Sequence, residues 1–521
     1  MRHTFLLPAI VTFTCVCLLT AQRAQANNIQ VTNPTLTGNT GTSALVQFNL
    51  SWENSWRGGG VSNWDAAWVF VKYRTIGGVW QHVLLNNTGH TAPAGSMIDL
   101  GLLTPGGTPY DANTNPVIGT FIRRSADGNG TFALTGVQLR WNYGTQGLAY
   151  NDITQVQVFA IEMVHVLQGA FAAGSGGTET NAFILTTISS ANPQTAPSGT
   201  GSLGGQAGGY PTGQVAPTSV SWPNGFNAFY CMKYEMSQQG YVDFLNTMTY
   251  TQQVTRTVAL PNSIAGTGAL SFGNSHRNGI DIQTPGVASS VPAVYACNLN
   301  DNGVYGDLTD GKDIACNLLN WGDLSAYLDW SGLRPMTELE FEKVCRGTPP
   351  PLANEYPWGT TGAGGSNYTQ SNVGASNEGI ATNYNTTVGN ASWYDPMGII
   401  LYPFRVGIFA AHGSNSGRVT AGASYYGIME LGGNLLERAV TIGHVDGRVF
   451  TGLHGNGSLA TDGNPNVTAW PEPAAGSGAG IRGGSYQSPL AYLRVSDRSL
   501  ALSFDNGRYG FFGGRGVRSA P

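Results

Sequence analysis

The sequence predicts an α+β protein: a strand-rich first part, a β-sandwich over residues 27–190, followed by a loop-rich second part over residues 219–521. Three observations predict it. Apolar and polar side chains alternate through residues 46–52, and β-branched or aromatic runs fill 68–73 and 153–166. Residues 191–218 are dominated by Ser, Gly, Pro, Thr and Ala, the composition of a flexible linker. Beyond 219, three short helical patterns interrupt long stretches of Gly, Asn and aromatics.

Composition supports this layout. Charged residues are 11 % of the 521, against roughly 25 % in ordinary soluble proteins, so long charge-laced helices do not fit. Aromatics are 10 %, enough for sizeable cores, which argues against global disorder. The 73 Gly follow no three-residue period, so collagen is excluded.

Residues 1–26 read as a secretory signal. Arg2 and His3 precede an apolar run from Phe5 to Leu19, and Ala24-Gln25-Ala26 is an A-x-A cleavage site. The run is short for a membrane span of roughly 20 residues. The expected mature chain is extracytoplasmic, secreted or held at the cell surface, with no membrane insertion. It carries 23 basic against 30 acidic side chains, a net charge of −7. That thin acidity gives nucleic acid no basic face to bind.

Four cysteines remain: Cys231, Cys297, Cys316 and Cys345. An exported chain keeps disulfides, and four cysteines allow three pairings. Cys297 and Cys316 flank one Asn/Asp/Gly-rich loop and are the preferred pair, which leaves Cys231 with Cys345. Zinc is the rival use, without a C-x-x-C spacing to support it.

Along the first part, turn clusters at 57–60 and 126–130 punctuate the strands. Val156, Val158 and Ala160 fall on one strand face. In the second part, Ser237 caps a helix burying Tyr241, Phe244 and Leu245. Asn320 caps another, with Leu324, Tyr327 and Leu328 inward and Gly332 at its end. Thr337 and Glu340 form a capping box, in which hydroxyl and carboxylate each take an orphan amide. Phe341, Val344 and Cys345 follow on the buried side.

Several motifs carry nothing. The two G-x-G-x-x-G matches, from Gly199 and from Gly478, lack the strand and helix that nucleotide binding needs. The phosphate-loop-like segment from Gly306 has Asp313 where a hydroxyl should hold magnesium. Asn298, Asn300, Asn302 and Gly303 imitate a calcium loop, but Thr309 stands at the bidentate acid's place. The seven His of the mature chain form no H-x-H or H-E-x-x-H. Among them, His412, His444 or His454 could hold a metal. No G-x-S-x-G elbow supports a serine hydrolase.

Four segments in order stand out: Leu333-Arg334-Pro335-Met336-Thr337-Glu338-Leu339-Glu340-Phe341-Glu342; Tyr356-Pro357-Trp358-Gly359; Tyr426-Gly427-Ile428-Met429-Glu430-Leu431-Gly432-Gly433-Asn434-Leu435-Leu436-Glu437; and Arg482-Gly483-Gly484-Ser485-Tyr486, with Arg494, Arg498 and a terminal Gly514-Arg515-Gly516-Val517-Arg518. With the opening segment Met232–Ser237, they resemble the formylglycine-generating enzyme, or sulfatase-modifying-factor, family over residues 220–521. The resemblance implies a variant C-type-lectin fold with little regular structure and bound calcium. It places one calcium on the Glu430 and Glu437 side chains with the Gly433 and Leu435 carbonyls, and a second on Asn372 and the Val373 carbonyl. Oxygen ligands of this kind suit a hard cation. The family's aromatic positions are Leu436 and Arg438 here.

The departure from the family decides the expected function. Formylglycine generators use two cysteines shortly after R-G-G-S-W to hold copper and activate oxygen. Residues 486–493 contain none, and no Cys follows Cys345. A Ser488 hydroxyl does not replace the soft thiolate that Cu(I) prefers. No catalytic residue is therefore assigned. The expectation is a non-catalytic, calcium-stabilised scaffold or binding protein at the cell surface, with protein or glycan partners and homo-oligomeric assembly. The rivals are a formylglycine-generating-type oxidoreductase or other metal-dependent modifying enzyme, and a calcium-dependent glycan-binding protein.

Overall fold

A computed structural model describes residues 28–104, 110–192, 217, 219–271, 275–398 and 400–521. The signal segment, the first G-x-G-x-x-G match and most of the 191–218 stretch lie outside the described residues.

The N-terminal strands are β1 (Gln30–Thr37), β2 (Ala44–Gly58), β3 (Asn63–Thr75), β4 (Trp80–His82), β5 (Ser96–Leu102), β6 (Val117–Arg124), β7 (Gly128–Trp141), β8 (Ile153–Val166), β9 (Phe171–Ala173) and β10 (Thr186–Ile188). β11 (Phe229–Met232) then opens the second part. Helices α1 (Gln238–Leu245), α2 (Tyr250–Arg256), α3 (Trp321–Trp330), α4 (Glu338–Arg346) and α5 (Val445–Arg448) alternate with short strands: β12 (Ile280–Thr284), β13 (Val294–Cys297), β14 (Met336–Thr337), β15 (Thr369–Ser371), β16 (Gly379–Thr382), β17 (Glu437–Val440), β18 (Ala479–Arg482) and β19 (Val517–Ser519).

The alternation in β2 does what the pattern requires: Val46, Phe48, Leu50 and Trp52 point into one buried cluster. Ala67, Val69, Val71 and Tyr73 of β3 meet them there, with Leu134, Val137, Leu139 and Trp141 of β7 and Val158 of β8. β3 is buried on its other face too, where Trp68 and Phe70 join Phe159 and Met163 of β8 in a second cluster. That cluster is completed by Tyr241, Phe244 and Leu245 of α1 and Leu324, Tyr327 and Leu328 of α3. Burial on both faces explains why residues 66–71 read as an unbroken apolar run.

The expectation of a free-standing sandwich gives way to a shared sheet. β8 pairs antiparallel with β3 along its length and also with β11, which in turn pairs with β19 near the C-terminus. Ten strands from both halves form one hydrogen-bonded sheet, ordered β1-β2-β3-β8-β11-β19 along its main path. Side chains cross-tie the halves. Trp68 Nε1 donates to the Ser331 carbonyl at 2.7 Å, and Lys72 Nζ donates to the carbonyls of Trp330 (2.7 Å) and Gly457 (2.5 Å). Lys233 bridges Glu162 at 3.0 Å and Asp65 at 3.6 Å, all three buried.

The helix caps are local and form as the spacing dictates. Ser237 accepts from Gly240, and Asn320 and Asp323 cap α3 reciprocally. Thr337 and Glu340 do the same for α4. No helix among the described residues is long and apolar enough to cross a membrane.

The disulfide expectation is overturned. Cys231, Cys297, Cys316 and Cys345 are all free and buried, so neither Cys297–Cys316 nor Cys231–Cys345 is formed. Each thiol serves as a small core hydrophobe. Cys297 and Cys316 sit in the helix-side cluster, and Cys231 and Cys345 in a smaller one under β11 and α4. Cys231 Sγ donates to the Met232 carbonyl and Cys316 Sγ to the Asn317 carbonyl. Burial pushes the Cys231 thiol up to about 12, which removes it from thiolate chemistry.

Candidate functional site

The four ordered segments converge on the acids of α4 and the loop before β17. Arg334 grips Glu340 in a bidentate pair at 2.8 and 2.7 Å, while Glu340 also caps Thr337. Glu338 is wholly buried. It accepts from Arg498 (2.8 and 3.0 Å), Arg482 (3.3 Å), the Thr441 hydroxyl (2.7 Å) and the Ile442 amide (2.9 Å). Burial works to raise its pKa, but the charge of Arg498, then that of Arg482, holds it below the ordinary carboxylate value. Glu342 accepts from Arg346, from Arg482 at 3.0 Å and from the Ser496 hydroxyl at 3.1 Å. Arg482 and Arg498 thus lock the R-G-G-S segment and its successor onto the α4 acids. Tyr356 and Trp358 stack at 4.7 Å beside Leu493.

The next segment builds a buried acidic centre. Glu430 Oε1 accepts the Gly407 amide at 2.9 Å. Glu437 Oε1 accepts Arg515 Nε at 2.5 Å, and Arg515 also donates to the Glu430 carbonyl at 3.2 Å. The second carboxylate oxygen of each acid, Glu430 Oε2 and Glu437 Oε2, is buried with no partner. Burial, followed in effect by the opposing pull of Arg515, leaves the Glu430 carboxyl raised to about 7. Glu437 is raised as well, again chiefly by burial. Glu430 and Asn434 both hold left-handed backbone, uncommon for residues with a side chain. Gly433 does so necessarily: an added Cβ would lie 2.3 Å from the Ser392 carbonyl oxygen.

A third acid completes the centre. Glu235, at the start of the second part, accepts the Asn434 side-chain amide (2.5 Å) and the Leu435 amide (2.9 Å), so it shapes the loop. Its pKa lies well above the usual value through burial and then the nearby Glu437. Sequence reasoning did not assign it a role, although the opening segment containing it was noted. Arg515 was missed in the same way: its number was in the terminal motif, but nothing local ties it to Glu437.

The other expected residues lie elsewhere. Asn372 and Val373 sit in the turn from β15 to β16. Asn372 is left-handed, its carbonyl takes the Ala375 amide, and Val373 is more than half exposed. They do not share partners with Glu430 or Glu437. The Asn298–Thr309 loop is a polar turn in which Asn300 and Asn302 donate to the Asp307 carboxylate. Leu436 packs on Ile481 and Phe512, and buried Arg438 lies 4.4 Å over the Phe512 ring. His444 caps α5, His454 accepts the Ser519 amide, and His412 stacks on Tyr384. Among the described residues, no three His, Cys, Asp or Glu gather as a ready-made metal cluster.

Ser488 is nearly buried. Its Oγ accepts the Ser485 amide at 2.9 Å and lies 3.1 Å from the Ser485 hydroxyl. The turn after R-G-G-S is therefore closed by hydroxyl hydrogen bonds.

Comparison with known proteins settles the family. The model of the sulfatase-modifying factor enzyme 1-like domain matches residues 151–519, over two thirds of the chain. The chain belongs to this family. No curated protein matches it significantly. The sulfatase-modifying-factor match begins at residue 151, just before β8. It ends in β19, so both strands that flank β11 in the common sheet fall inside it.

Proposed function

We propose that this protein is an exported, non-catalytic scaffold or binding protein. Its sulfatase-modifying-factor domain is held together by calcium and serves a cell-surface or extracellular assembly with protein or glycan partners. One observation carries the loss of catalysis: where the family's copper-binding cysteines belong, residues 486–493 contain no thiol, and the Ser488 hydroxyl there is tied back to Ser485. A hydroxyl lacks the softness and acidity of a Cu(I) thiolate.

Calcium fits the acids present. Glu430 and Glu437 each keep one buried, unpartnered carboxylate oxygen, and an unsatisfied buried charge is costly unless a cation meets it. Glu430 and Glu437 by side chain, with Gly433 and Leu435 by carbonyl, would hold the ion. Calcium there would supply positive charge to acids on which Arg515, and for Glu430 also Arg405, already act. Asn372 and Val373 would hold a second, more exposed ion.

The test is incubation of the purified protein with copper, oxygen and a sulfatase-type cysteine peptide. The expected result is an unchanged peptide by mass spectrometry. Conversion of the cysteine to an aldehyde would refute the reading.

A further inference from the structure

A cavity of about 410 Å³ opens between the β2–β3 hairpin and the loop of residues 410–429. Its lining includes none of Glu430, Glu437 and Ser488, although Met429 and Tyr234 of the lining directly precede Glu430 and Glu235. The hairpin supplies Trp56 and Val61, and the loop supplies Arg418, Tyr425, Tyr426 and Met429. The volume is that of a small-molecule site, and its walls are mostly apolar.

Two buried polar groups on residues that line it are unspent. The Tyr426 hydroxyl is buried with no partner, on a side chain only 2 % exposed. Arg418 Nε is also buried and unpartnered, while its Nη2 donates only to the carbonyls of Cys345 (3.2 Å) and Pro357 (2.8 Å). The other polar residues are already used. Asn63 takes Trp56 Nε1 and donates to the Tyr426 carbonyl, and Asn415 is bonded to its own loop. Arg418 is bonded to backbone carbonyls rather than to an acid. Lys233, 5.0 Å from the Trp56 ring, is neutralised by Glu162 and Asp65. Glu355, the acid nearest in effect to Arg418, is engaged by Arg346. Arg418 is left as a guanidinium without an acid of its own.

An apolar cavity with one uncompensated guanidinium and one orphan hydroxyl matches a specific chemistry. We infer that this cavity binds a carboxylate carried beside an aromatic or apolar group, the carboxylate meeting Arg418 and Tyr426 and the apolar part resting on Trp56 and Tyr425. Charge-assisted hydrogen bonds of this type are roughly twice as strong as neutral ones. The same chemistry is presented by a free aryl acid and by a protein C-terminus ending in an aromatic residue. The inference does not depend on the absence of redox chemistry.

The experiment is calorimetric and ligand-observed NMR titration of the purified chain with benzoate, benzamide, and a short peptide ending in Phe as free acid and as amide. Carboxylates are expected to bind at least about tenfold tighter than the matching amides, since a charged hydrogen bond replaces a neutral one. Tighter binding of the peptide acid identifies a protein terminus as the source, and tighter benzoate a free acid. R418Q removes the preference for acids. Y426F weakens acid binding several-fold with no loss of thermal stability, which a purely structural hydroxyl would not do. V61W, at the half-buried mouth, blocks every ligand while the melting temperature holds, and keeps the test decisive if R418Q fails to fold. Equal binding of acids and amides, no binding of either, or unimpaired binding to folded V61W overturns the inference.

Discussion

Replacing Glu338 by Gln removes the charge that Arg482 and Arg498 share. The side chain is wholly buried and accepts five hydrogen bonds, three of them from guanidinium groups. An amide of the same size keeps one acceptor oxygen and turns an NH2 group toward donors. Removing one partner of a buried ion pair costs about 3–5 kcal/mol. Arg482 retains Glu342 and the Val495 carbonyl, so the lower end, about 3 kcal/mol, is expected. Against a typical total stability of about 5–15 kcal/mol this is large. Chemical unfolding followed by the fluorescence of the twelve Trp reads it as a lowered denaturation midpoint. Adding Arg498→Met should recover at least about 1 kcal/mol, because it removes the stranded cation. A midpoint within about 0.5 kcal/mol of wild type, or strict additivity in the double variant, would refute the reasoning.

Further outcomes follow from the same structure. Because the Glu338 pKa is depressed in the fold, its contribution is fully present above the unfolded carboxylate value of about 4.3. It is lost as pH falls through the lower folded value, so the gap between wild type and E338Q should close on acidification in pH-dependent unfolding curves. Chelation by EDTA should lower the melting temperature, and added calcium should restore it. E437Q should weaken that response by removing the ion at Glu430 and Glu437, whereas a calcium-indifferent wild type would contradict the calcium proposal. A thiol reagent should leave Cys231, Cys297, Cys316 and Cys345 unmodified in the native fold and label all four after denaturation, since they are buried and free. Reaction in the native state would contradict that burial.

What was legible in the sequence was local. Ser237, Asn320 and Thr337 mark three helix starts because a cap and its partner amide lie within one turn. The same signal was present at Thr249 and Gln252, which box the start of α2, and went unread. The strand pattern of β2, β3 and β8 was legible from alternation. That β8 goes on to pair with β11, and β11 with β19, was not, because the first pairing spans the linker and the second joins residues hundreds of positions apart. The site divides the same way. Glu430 and Glu437 share one short segment and were found together. Glu235 and Arg515, which complete their surroundings, come from opposite ends of the second part. The cysteines misled because compartment argues for pairing, whereas a core with room for small apolar groups equally accepts free thiols.

The central claim is that an inherited architecture survives without its copper-thiolate centre. Its most direct measurement is a Cu(I) titration of the native, folded protein against a chromophoric chelator. The protein is expected to withdraw no copper, since Ser488 is held by Ser485 and the four thiols among the described residues are buried elsewhere. Withdrawal of one equivalent of Cu(I) by the native fold would contradict it.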